Sequence, residues 1–257
     1  MKMEAHIPAA PLQPFIKTYL VIESGGEIVN RVLPGTAPAM AFRFKGQVNY
    51  LSGNSLHVLP GTVVSGLRKS ARLIHYLNNT GNIIVVFKEA GAAAFFKEPL
   101  HELFEESISL DNLVPQHQTA MIEDQLATAQ NNRQRIAVVE KFLLSKLSHT
   151  KKDQLVETAI QKIYTRKGII KIKLLADSLY ISQDAFEKRF RKIAGTSPKQ
   201  FSSIVRMKAA IASKLQTQSF TDIAFDAGYY DQPHFTEDFK IFTGQTPAEF
   251  FKSPLFW

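Results

Sequence analysis

Two segments near the end of this chain, residues 175–201 and 223–250, repeat one pattern of apolar, glycine and proline residues. The first copy reads Leu175-Ala176, Phe186, Phe190, Gly195, Pro198 and Phe201, and the second reads Ile223-Ala224, Phe235, Phe239, Gly244, Pro247 and Phe250. The aliphatic-Ala pairs are 48 residues apart, and the five later pairs are 49 residues apart. Five identities at one offset argue against coincidence, so we predict two copies of one supersecondary unit.

Each copy carries the local signals of a helix-turn-helix. A short helix holds the aliphatic-Ala pair, and the small Ala lets a second helix cross closely. After a turn, Ser182 or Asp231 is placed to cap the second helix. That helix buries its two aromatic residues on one face, ends at Gly195 or Gly244, and is followed by a proline that opens the next helix. Its other face is then free to enter a major groove; the alternative is a helical repeat that packs and binds nothing.

A long helix over residues 198–216 is predicted to link the two copies, and positive charge is concentrated around it. Its core-facing period runs through Phe201, Ile204, Val205, Lys208, Ile211, Ala212 and Leu215. Residues 151–214 carry 15 Lys and Arg against 5 Asp and Glu, whereas residues 215–257 carry 2 against 6. Such a basic block favours a polyanionic partner, because each Lys or Arg on a phosphate releases condensed counterions. A solvated basic face has the same composition, and charge alone does not separate the two.

Residues 155–251 resemble the DNA-binding domain of the AraC/XylS family of bacterial transcription regulators. The matching stretches are Leu174-Leu175-Ala176, Phe190-Arg191, Gly195-Thr196-Ser197-Pro198, Ile223-Ala224-Phe225-Asp226-Ala227-Gly228-Tyr229, Phe239-Lys240 and Thr243-Gly244-Gln245-Thr246-Pro247. The resemblance implies a sequence-specific transcription regulator that binds double-stranded DNA, with the second helix of each unit in successive major grooves. The alternative is an interaction protein that uses degenerate helix-turn-helix units for docking.

Carried over by position, the resemblance assigns DNA contacts to both second helices. The base-facing candidates are Gln183, Asp184, Glu187, Lys188, Gln232, His234, Thr236 and Glu237, and the phosphate candidates are Arg191, Lys192 and Lys240. Family members usually have arginine at the position of Glu237, where a carboxylate can only accept a hydrogen bond. The equivalent residue of the first unit, Lys188, keeps a positive charge. We therefore expect the first unit to supply most of the affinity for DNA.

The N-terminal region, residues 1–112, is predicted to be β-rich. Short segments at residues 17–23, 40–44, 55–59, 73–77 and 83–87 are bounded by turn-forming residues, which favours a small barrel or sandwich. Residues 90–106 are predicted to turn helical. The region also resembles the small sensor-like domain that precedes some AraC-type units, and this implies binding of a partner or of a small-molecule effector of unknown identity.

Residues 113–150 are predicted to form a helical hairpin and a linker. Two apolar stripes between residues 116 and 147 are separated by Asn131-Asn132, and such a hairpin needs a surface against which to pack. The sequence allows two partners for the hairpin: the N-terminal domain of the same chain, or a second copy of the chain in a homodimer through residues 116–147. With the AraC-type DNA-binding domain at residues 151–257, the predicted fold class is α+β: a β-rich, barrel-like or sandwich domain with a helical hairpin, then an all-α domain of two helix-turn-helix units joined by a long helix.

The composition excludes several classes of function. The chain has no cysteine, which removes disulfides, thiolate metal sites, cysteine nucleophiles and the alkyl-accepting repair chemistry that some relatives attach to this DNA-binding unit. This also suits a cytoplasmic location. The longest strongly apolar run, residues 83–87, is too short to cross a bilayer. The seven histidines lack metal-ligand spacing, and no phosphate-loop or hydrolase motif is present. We predict no catalytic residue, metal or cofactor; an enzyme in the N-terminal domain is the remaining alternative.

Overall fold

The computed structural model of the chain describes residues 1–53, 55–148, 152–214 and 218–252. Its N-terminal part contains strands β1 (Lys2–His6), β2 (Ile16–Ser24), β3 (Ile28–Val32), β4 (Ala39–Lys45), β5 (Val48–Ser52), β6 (Ser55–Val58), β7 (Thr62–Ser65), β8 (Arg72–Tyr76), β9 (Thr80–Phe87) and β10 (Ser107–Ser109). In these described residues the strands form two antiparallel sheets, with the orders β1-β2-β9-β4-β7-β10 and β3-β8-β5-β6. The prediction of a β-rich domain is confirmed, and the architecture is the sandwich.

The predicted helical hairpin consists of α1 (Gln116–Thr128) and α2 (Asn132–Lys146). Its buried apolar side chains belong to the same cluster as one face of the six-stranded sheet: Ile122, Leu126, Ile136, Val139, Phe142 and Leu143. The rings of Phe42 in β4 and Phe142 meet edge to face, with 6.0 Å between their centroids. The apolar faces of the hairpin are thus used within the chain, which is the first of the two alternatives left open by the sequence. Met121 and Leu144 remain exposed on its outer side.

The space between the two sheets holds far fewer apolar side chains. Ile22, Val48 and Tyr76 form the buried part of this small cluster. The main apolar core of the N-terminal part therefore lies between the six-stranded sheet and the hairpin. Polar side chains reach across the gap between the sheets at one end, where Arg72 Nη1 donates to Ser107 Oγ at 3.0 Å.

Residues 90–106 are not α-helical, so this prediction is wrong. They contain 3₁₀ turns at Gly91–Ala94 and Leu100–Leu103. Ala90 and Glu105 have left-handed backbones, with φ of 61° and 68°, and Pro99 is extended. None of these conformations continues an α-helix. The helical spacing of Leu100 and Leu103 arises because both side chains enter the N-terminal core.

The C-terminal part is all-α within the described residues. Its helices are α3 (Gln154–Thr165), α4 (Ile172–Asp177), α5 (Gln183–Ala194), α6 (Pro198–Ser213), α7 (Phe220–Asp226), α8 (Gln232–Thr243) and α9 (Pro247–Phe250). One buried cluster includes side chains from every one of them. The fold class is therefore α+β, as predicted.

Helix α6 differs in detail from the predicted connector. Leu215 and Gln216, at the end of the predicted helix, lie outside the described residues. Lys208 and Ala212 were expected on its core face, but both are exposed. Met207 and Ala210 are buried instead, because α6 contacts α3, α5, α7 and α8 on different sides rather than packing along one stripe.

The connection between the two parts is described up to Ser148, whose backbone N–H donates to the Ala94 carbonyl at 2.9 Å. The predicted boundary between residues 150 and 151 lies outside the described residues, as do residues 253–257 at the end of the predicted DNA-binding domain. No helix in the described ranges is long and apolar enough to span a membrane.

Candidate nucleic-acid interface

The first unit, α4 and α5, has the caps and the core that its sequence predicts. Ser182 Oγ accepts a hydrogen bond from the Ala185 N–H, and α5 ends at Gly195, whose φ of 84° is the left-handed conformation that glycine allows. Phe186 and Phe190 are fully buried, and their rings meet at 5.6 Å between centroids. Because this face of α5 points into the core, the opposite face points outward.

The second unit, α7 and α8, repeats this arrangement. Asp231 Oδ1 accepts from the His234 N–H at 2.9 Å, and Gly244 ends α8 with a φ of 76°. Phe235 and Phe239 are fully buried, with their ring centroids 5.5 Å apart. The predicted equivalence of the two units is therefore reproduced in both the caps and the aromatic anchors.

The same equivalence extends to the helix that follows each unit. Phe190 of α5 packs against Phe201 of α6 with 5.5 Å between ring centroids, and Phe239 of α8 packs against Phe250 of α9 with 5.3 Å. In both contacts the two ring planes are nearly perpendicular, with angles of 78° and 80° between them. Positions 49 residues apart thus have the same structural role.

The outward face of α5 carries all of the first unit's candidate residues. Gln183, Asp184, Lys188, Arg191 and Lys192 are exposed, and Glu187 is half-buried. Glu187 accepts a hydrogen bond from Gln183 Nε2 at 2.9 Å, and one of its oxygens lies 3.7 Å from Arg191 Nη2. Exposed pairs of this kind contribute little to stability, so Arg191 can exchange its carboxylate partner for a phosphate at low cost.

The outward face of α8 is less basic, and some of its side chains are already engaged. Gln232, His234, Glu237 and Lys240 are exposed, and Thr236 is half-buried. Gln232 Oε1 accepts from Thr221 Oγ1 of α7 at 2.6 Å, and the His234 ring lies edge to face with Tyr229 at 5.5 Å. Lys240 is therefore the cation that this face contributes, whereas the corresponding face of α5 contributes Lys188, Arg191 and Lys192.

Arg189 of α5 and Asp238 of α8 each bind a residue outside their own helix; we call α5 and α8 the recognition helices. They occupy equivalent positions, 49 residues apart. Arg189 Nε lies 2.6 Å from Asp153 Oδ2 at the start of α3. Asp238 Oδ2 accepts from Tyr229 Oη at 2.9 Å and from Arg206 Nη2 of α6 at 3.4 Å. Burial raises the pKa of Tyr229, so its phenol stays protonated and remains a donor. Asp238 is thus a packing residue rather than part of the outward face.

Two exposed tyrosines flank the recognition helices, and the sequence pattern did not predict them as candidate residues. Tyr180 is 99% exposed and Tyr230 is 90% exposed. Each lies in the turn of its unit, and Tyr180 has a left-handed backbone with a φ of 55°. A large aromatic residue in an exposed turn was the signal that could have identified them.

The loop between β7 and β8, residues 66–71, contacts the C-terminal ends of both recognition helices; we call it the bridging loop. Leu67 is buried in the C-terminal cluster, and its Cδ1 lies 3.1 Å from the position that a Cβ would occupy at Gly195. The Ala71 N–H donates to the Phe242 carbonyl of α8 at 3.0 Å. One short loop of the sandwich therefore touches the end of α5 and the end of α8.

Two further contacts join the sandwich to the C-terminal part. Arg31 Nη1 of β3 donates to the Thr243 carbonyl at 2.7 Å, where α8 ends. Tyr164 Oη of α3 lies 2.9 Å from Thr36 Oγ1 and also donates to Glu89. These contacts involve α3 and the C-terminal end of α8. They leave the candidate residues of α5 and α8 facing outward. Among the described residues, no group of three His, Asp or Glu side chains is placed to bind a metal ion.

Comparison with known families matches the two parts of the chain separately. Residues 175–253 match a family model described as a helix-turn-helix domain, and residues 4–109 match one described as a domain of unknown function, DUF6597. The chain is also 35% identical over 97 residues to the bifunctional transcriptional activator/DNA repair enzyme AdaA of Bacillus subtilis strain 168. Residues 175–253 are thus similar to an AraC-type helix-turn-helix domain. The AdaA match covers 37% of this chain and 45% of AdaA, so this chain spans less than half the length of that relative.

Solved structures of ToxT and of the AraC-like transcriptional activator CuxR resemble most of the chain only distantly. A 1.65 Å structure of ToxT from Vibrio cholerae has a TM-score of 0.49 at 10% identity, covering 90% of this chain and 96% of ToxT. ToxT with a bound unsaturated fatty acid has a TM-score of 0.45 at 11% identity, covering 90% and 93%. The regulator CuxR has a TM-score of 0.26 at 11% identity, covering 82% and 86%. At these scores the likeness supports no inference about function.

Proposed function

We propose that the chain is a sequence-specific DNA-binding transcription regulator, and that α5 and α8 read successive major grooves. The observation that supports this most is the pair of equivalent helices, each anchored by two buried phenylalanines and each with its opposite face exposed. A recognition helix needs this combination, because its core contacts fix the side chains that reach base edges. A cytoplasmic location follows from the same proposal.

The length of α6, the helix that connects the two units, is compatible with the distance between successive major grooves. Its 16 residues correspond to a length of about 24 Å, and the turns at its ends add to the separation of the recognition helices. Two units on one face of a duplex need a separation of about 34 Å. Since one buried cluster joins both units, we infer that they bind as a single rigid body.

We assign direct base contacts to Gln183, Asp184, Glu187 and Lys188 of α5 and to Gln232, His234, Thr236 and Glu237 of α8. Phosphate contacts are assigned to Arg191, Lys192 and Lys240. The first unit supplies most of the affinity. The outward face of α5 carries Lys188, Arg191 and Lys192 against Asp184 and Glu187, whereas that of α8 carries Lys240 against Glu237. A duplex concentrates negative charge along its backbone, so this imbalance acts directly on binding.

Selection of bound sequences from a pool of random duplexes, with the full chain, tests the proposal. A regulator enriches one bipartite sequence and binds it more tightly than a random duplex of equal length at a fixed salt concentration. An interaction protein with degenerate units would show only weak binding without sequence preference. Recovery of no preferred sequence across a range of salt concentrations would therefore overturn the proposal.

Lys192→Ala is expected to weaken binding by a similar factor for every duplex tested. A phosphate contact carries no sequence information, and its loss should reduce the slope of log K against log salt by about one. The matched control is Lys141→Ala, which removes an exposed lysine from the hairpin and should leave both affinity and slope unchanged. A slope equal to that of the unmodified protein would remove Lys192 from the interface.

We further propose that the N-terminal sandwich senses a small-molecule effector and alters how the two units are presented. The bridging loop supports this, because a shift of one loop would reach α5 through Leu67 and α8 through Ala71. A homodimer through residues 116–147 stays a separate hypothesis. It would rest on exposed side chains such as Met121 and Leu144, and sedimentation of Met121→Glu beside the unmodified protein would test it.

A further inference from the structure

Two arginines of the sandwich converge on one serine hydroxyl between the sheets. Arg68 Nη2, from the bridging loop, donates to Ser107 Oγ at 2.5 Å, and Arg72 Nη1 of β8 donates to the same oxygen at 3.0 Å. Ser65 Oγ of β7 lies 2.6 Å from it. The Arg72 guanidinium also stacks over the Tyr50 ring at 4.6 Å. We call Arg68, Arg72, Ser65 and Ser107 the inter-sheet cluster.

The positive charges of Arg68 and Arg72 in the inter-sheet cluster have no carboxylate partner within ion-pair distance among the described residues. Among the described residues, no carboxylate oxygen lies within 4.0 Å of either guanidinium. Glu105 and Glu106 act on Arg68 only from farther away, and Glu105 Oε1 already accepts from the Lys69 N–H at 2.7 Å. Burial, with a contribution from Arg72, lowers the pKa of Arg68 to about 10. Arginine side chains stay protonated in proteins, so both carry a charge at neutral pH. The burial of Arg68 has a desolvation cost that no ion pair among the described residues offsets.

Two buried hydrogen-bonding atoms of the sandwich have no partner among the described residues. Arg68 Nε is buried and has no partner among the described residues, and the same is true of Asn30 Oδ1. Asn30 is only 8% exposed. It lies opposite Ile74 in the four-stranded sheet, so its side chain is on the same face as Arg72. Buried polar groups without partners are rare in folded proteins and call for an explanation.

We propose that the inter-sheet cluster binds a small oxyanion, the carboxylate or phosphate group of an effector molecule. Planar guanidinium groups suit such anions because they offer paired N–H donors in a fixed geometry. The Ser65 hydroxyl adds a donor, because Ser107 Oγ accepts from both arginines and so donates its own proton to Ser65. The Tyr50 ring provides an apolar surface beside the charge. Asn30 Oδ1 is an acceptor for a hydroxyl or amine elsewhere on the same molecule. An anion here would supply the missing negative charge.

The position of the cluster gives the anion a route to the DNA-binding units. Arg68 directly follows Leu67, and Arg72 directly follows Ala71, in the loop that touches α5 and α8. An anion that draws the two guanidiniums together moves this loop. This regulatory step rests on the proposed function, whereas the anion site itself stands on the geometry of the sandwich.

Thermal unfolding of the full chain, without DNA, tests the site. The probes are inorganic phosphate and acetate, each titrated against chloride at constant ionic strength. At least one probe should raise the unfolding midpoint in a saturable manner, by about 3–6 °C at ten times its dissociation constant. A response to phosphate alone identifies a phosphate site, and a response to acetate identifies a carboxylate site. No saturable response to either probe overturns the proposal.

Variants separate the site from general effects of salt. Arg68→Met removes the unpaired charge while keeping the length of the side chain, so its midpoint without probe should exceed that of the unmodified protein and its response should vanish. Arg135→Met is the matched control: Arg135 Nε is also buried without a partner, but it lies in the hairpin, so the response should persist. If Arg68→Met does not fold, Ser107→Ala should weaken the response at least fivefold. A response that survives these changes contradicts the site.

A final measurement separates the site from the proposed function. The affinity for a selected duplex is measured with and without the effective probe, in the unmodified protein and in Arg68→Met. The probe should change the affinity only in the unmodified protein. A protein that responds to the anion but prefers no DNA sequence contradicts the proposed function and leaves the site intact. A protein that binds DNA specifically but shows no thermal response contradicts the site alone.

Discussion

Lys188→Glu is expected to weaken binding to a selected duplex by on the order of a hundredfold, since one good base contact is worth ~1–3 kcal/mol and the reversed charge adds repulsion from the phosphates. Lys188 is exposed on the outward face of α5, so the change leaves the core untouched. Fluorescence anisotropy with a labelled duplex at fixed salt measures the effect. Arg191→Glu should give a loss of similar size. It replaces a phosphate-binding cation by a carboxylate that lies beside the carboxylate of Glu187.

The second unit provides the comparison that makes this prediction specific. Glu237 stands at the position equivalent to Lys188, 49 residues along the chain. Glu237→Ala removes one assigned base contact together with a negative charge that repels the phosphates, so it should weaken binding far less than Lys188→Glu does. If Glu237→Ala abolished binding while Lys188→Ala did not, the assignment of most affinity to the first unit would be wrong. Circular dichroism of each variant shows whether the fold is intact.

Phe190→Ala is expected to lower the free energy of unfolding by about 3–5 kcal/mol, the usual cost of truncating a fully buried aromatic side chain. Phe190 is 0% exposed and its ring contacts Phe186 and Phe201. Alanine removes both ring contacts and leaves a cavity where α5 meets α6. Denaturation in urea, followed by circular dichroism, measures the change.

The repeat again supplies the control. Phe239→Ala removes the equivalent ring, which contacts Phe235 and Phe250, and should cost a similar amount. Since one cluster contains both phenylalanines, either change should destabilise the two units together, in a single transition. Phe190→Leu keeps most of the buried volume and should cost far less. A loss below about 1 kcal/mol for Phe190→Ala would mean that this ring is not a core anchor.

Most of the C-terminal part could be predicted because its signals are local. Caps such as Ser182 and Asp231 and the glycines that end α5 and α8 act within a few residues of one another, and the repeat shows each signal twice. The connector was harder to predict. A helical period identifies one buried stripe, whereas α6 is surrounded by several helices, so Lys208 and Ala212 were placed on the wrong side.

The N-terminal part was predicted less completely because strand pairing joins distant residues. Strand β7 is almost wholly buried and β10 has three residues, so neither shows the alternation that marks a strand. In residues 90–106, apolar spacing suggested a helix, but left-handed backbone at Ala90 and Glu105 divides the segment into turns.

The contacts that link the N-terminal sandwich to the C-terminal helices could not be predicted from local patterns. Arg31 and Thr243 are separated by 212 positions, and no pattern in the sequence around either residue indicates that they meet. The inter-sheet cluster was missed for the same reason, because Arg68 and Ser107 meet only after β7 and β10 have paired. The outward residues of α5 and α8 needed no such pairing, since helical geometry alone places them on one face.

The main apolar core lies against the hairpin, and this determines where a truncated N-terminal fragment can end. Phe42 and Met40 of β4 are almost completely shielded, and Phe142 of α2 is among the side chains that cover them. A shortened protein that stops near residue 112 would present this surface to water and should aggregate. A fragment meant to fold as the N-terminal part alone therefore has to extend through Lys146, because the hairpin forms one side of its apolar core.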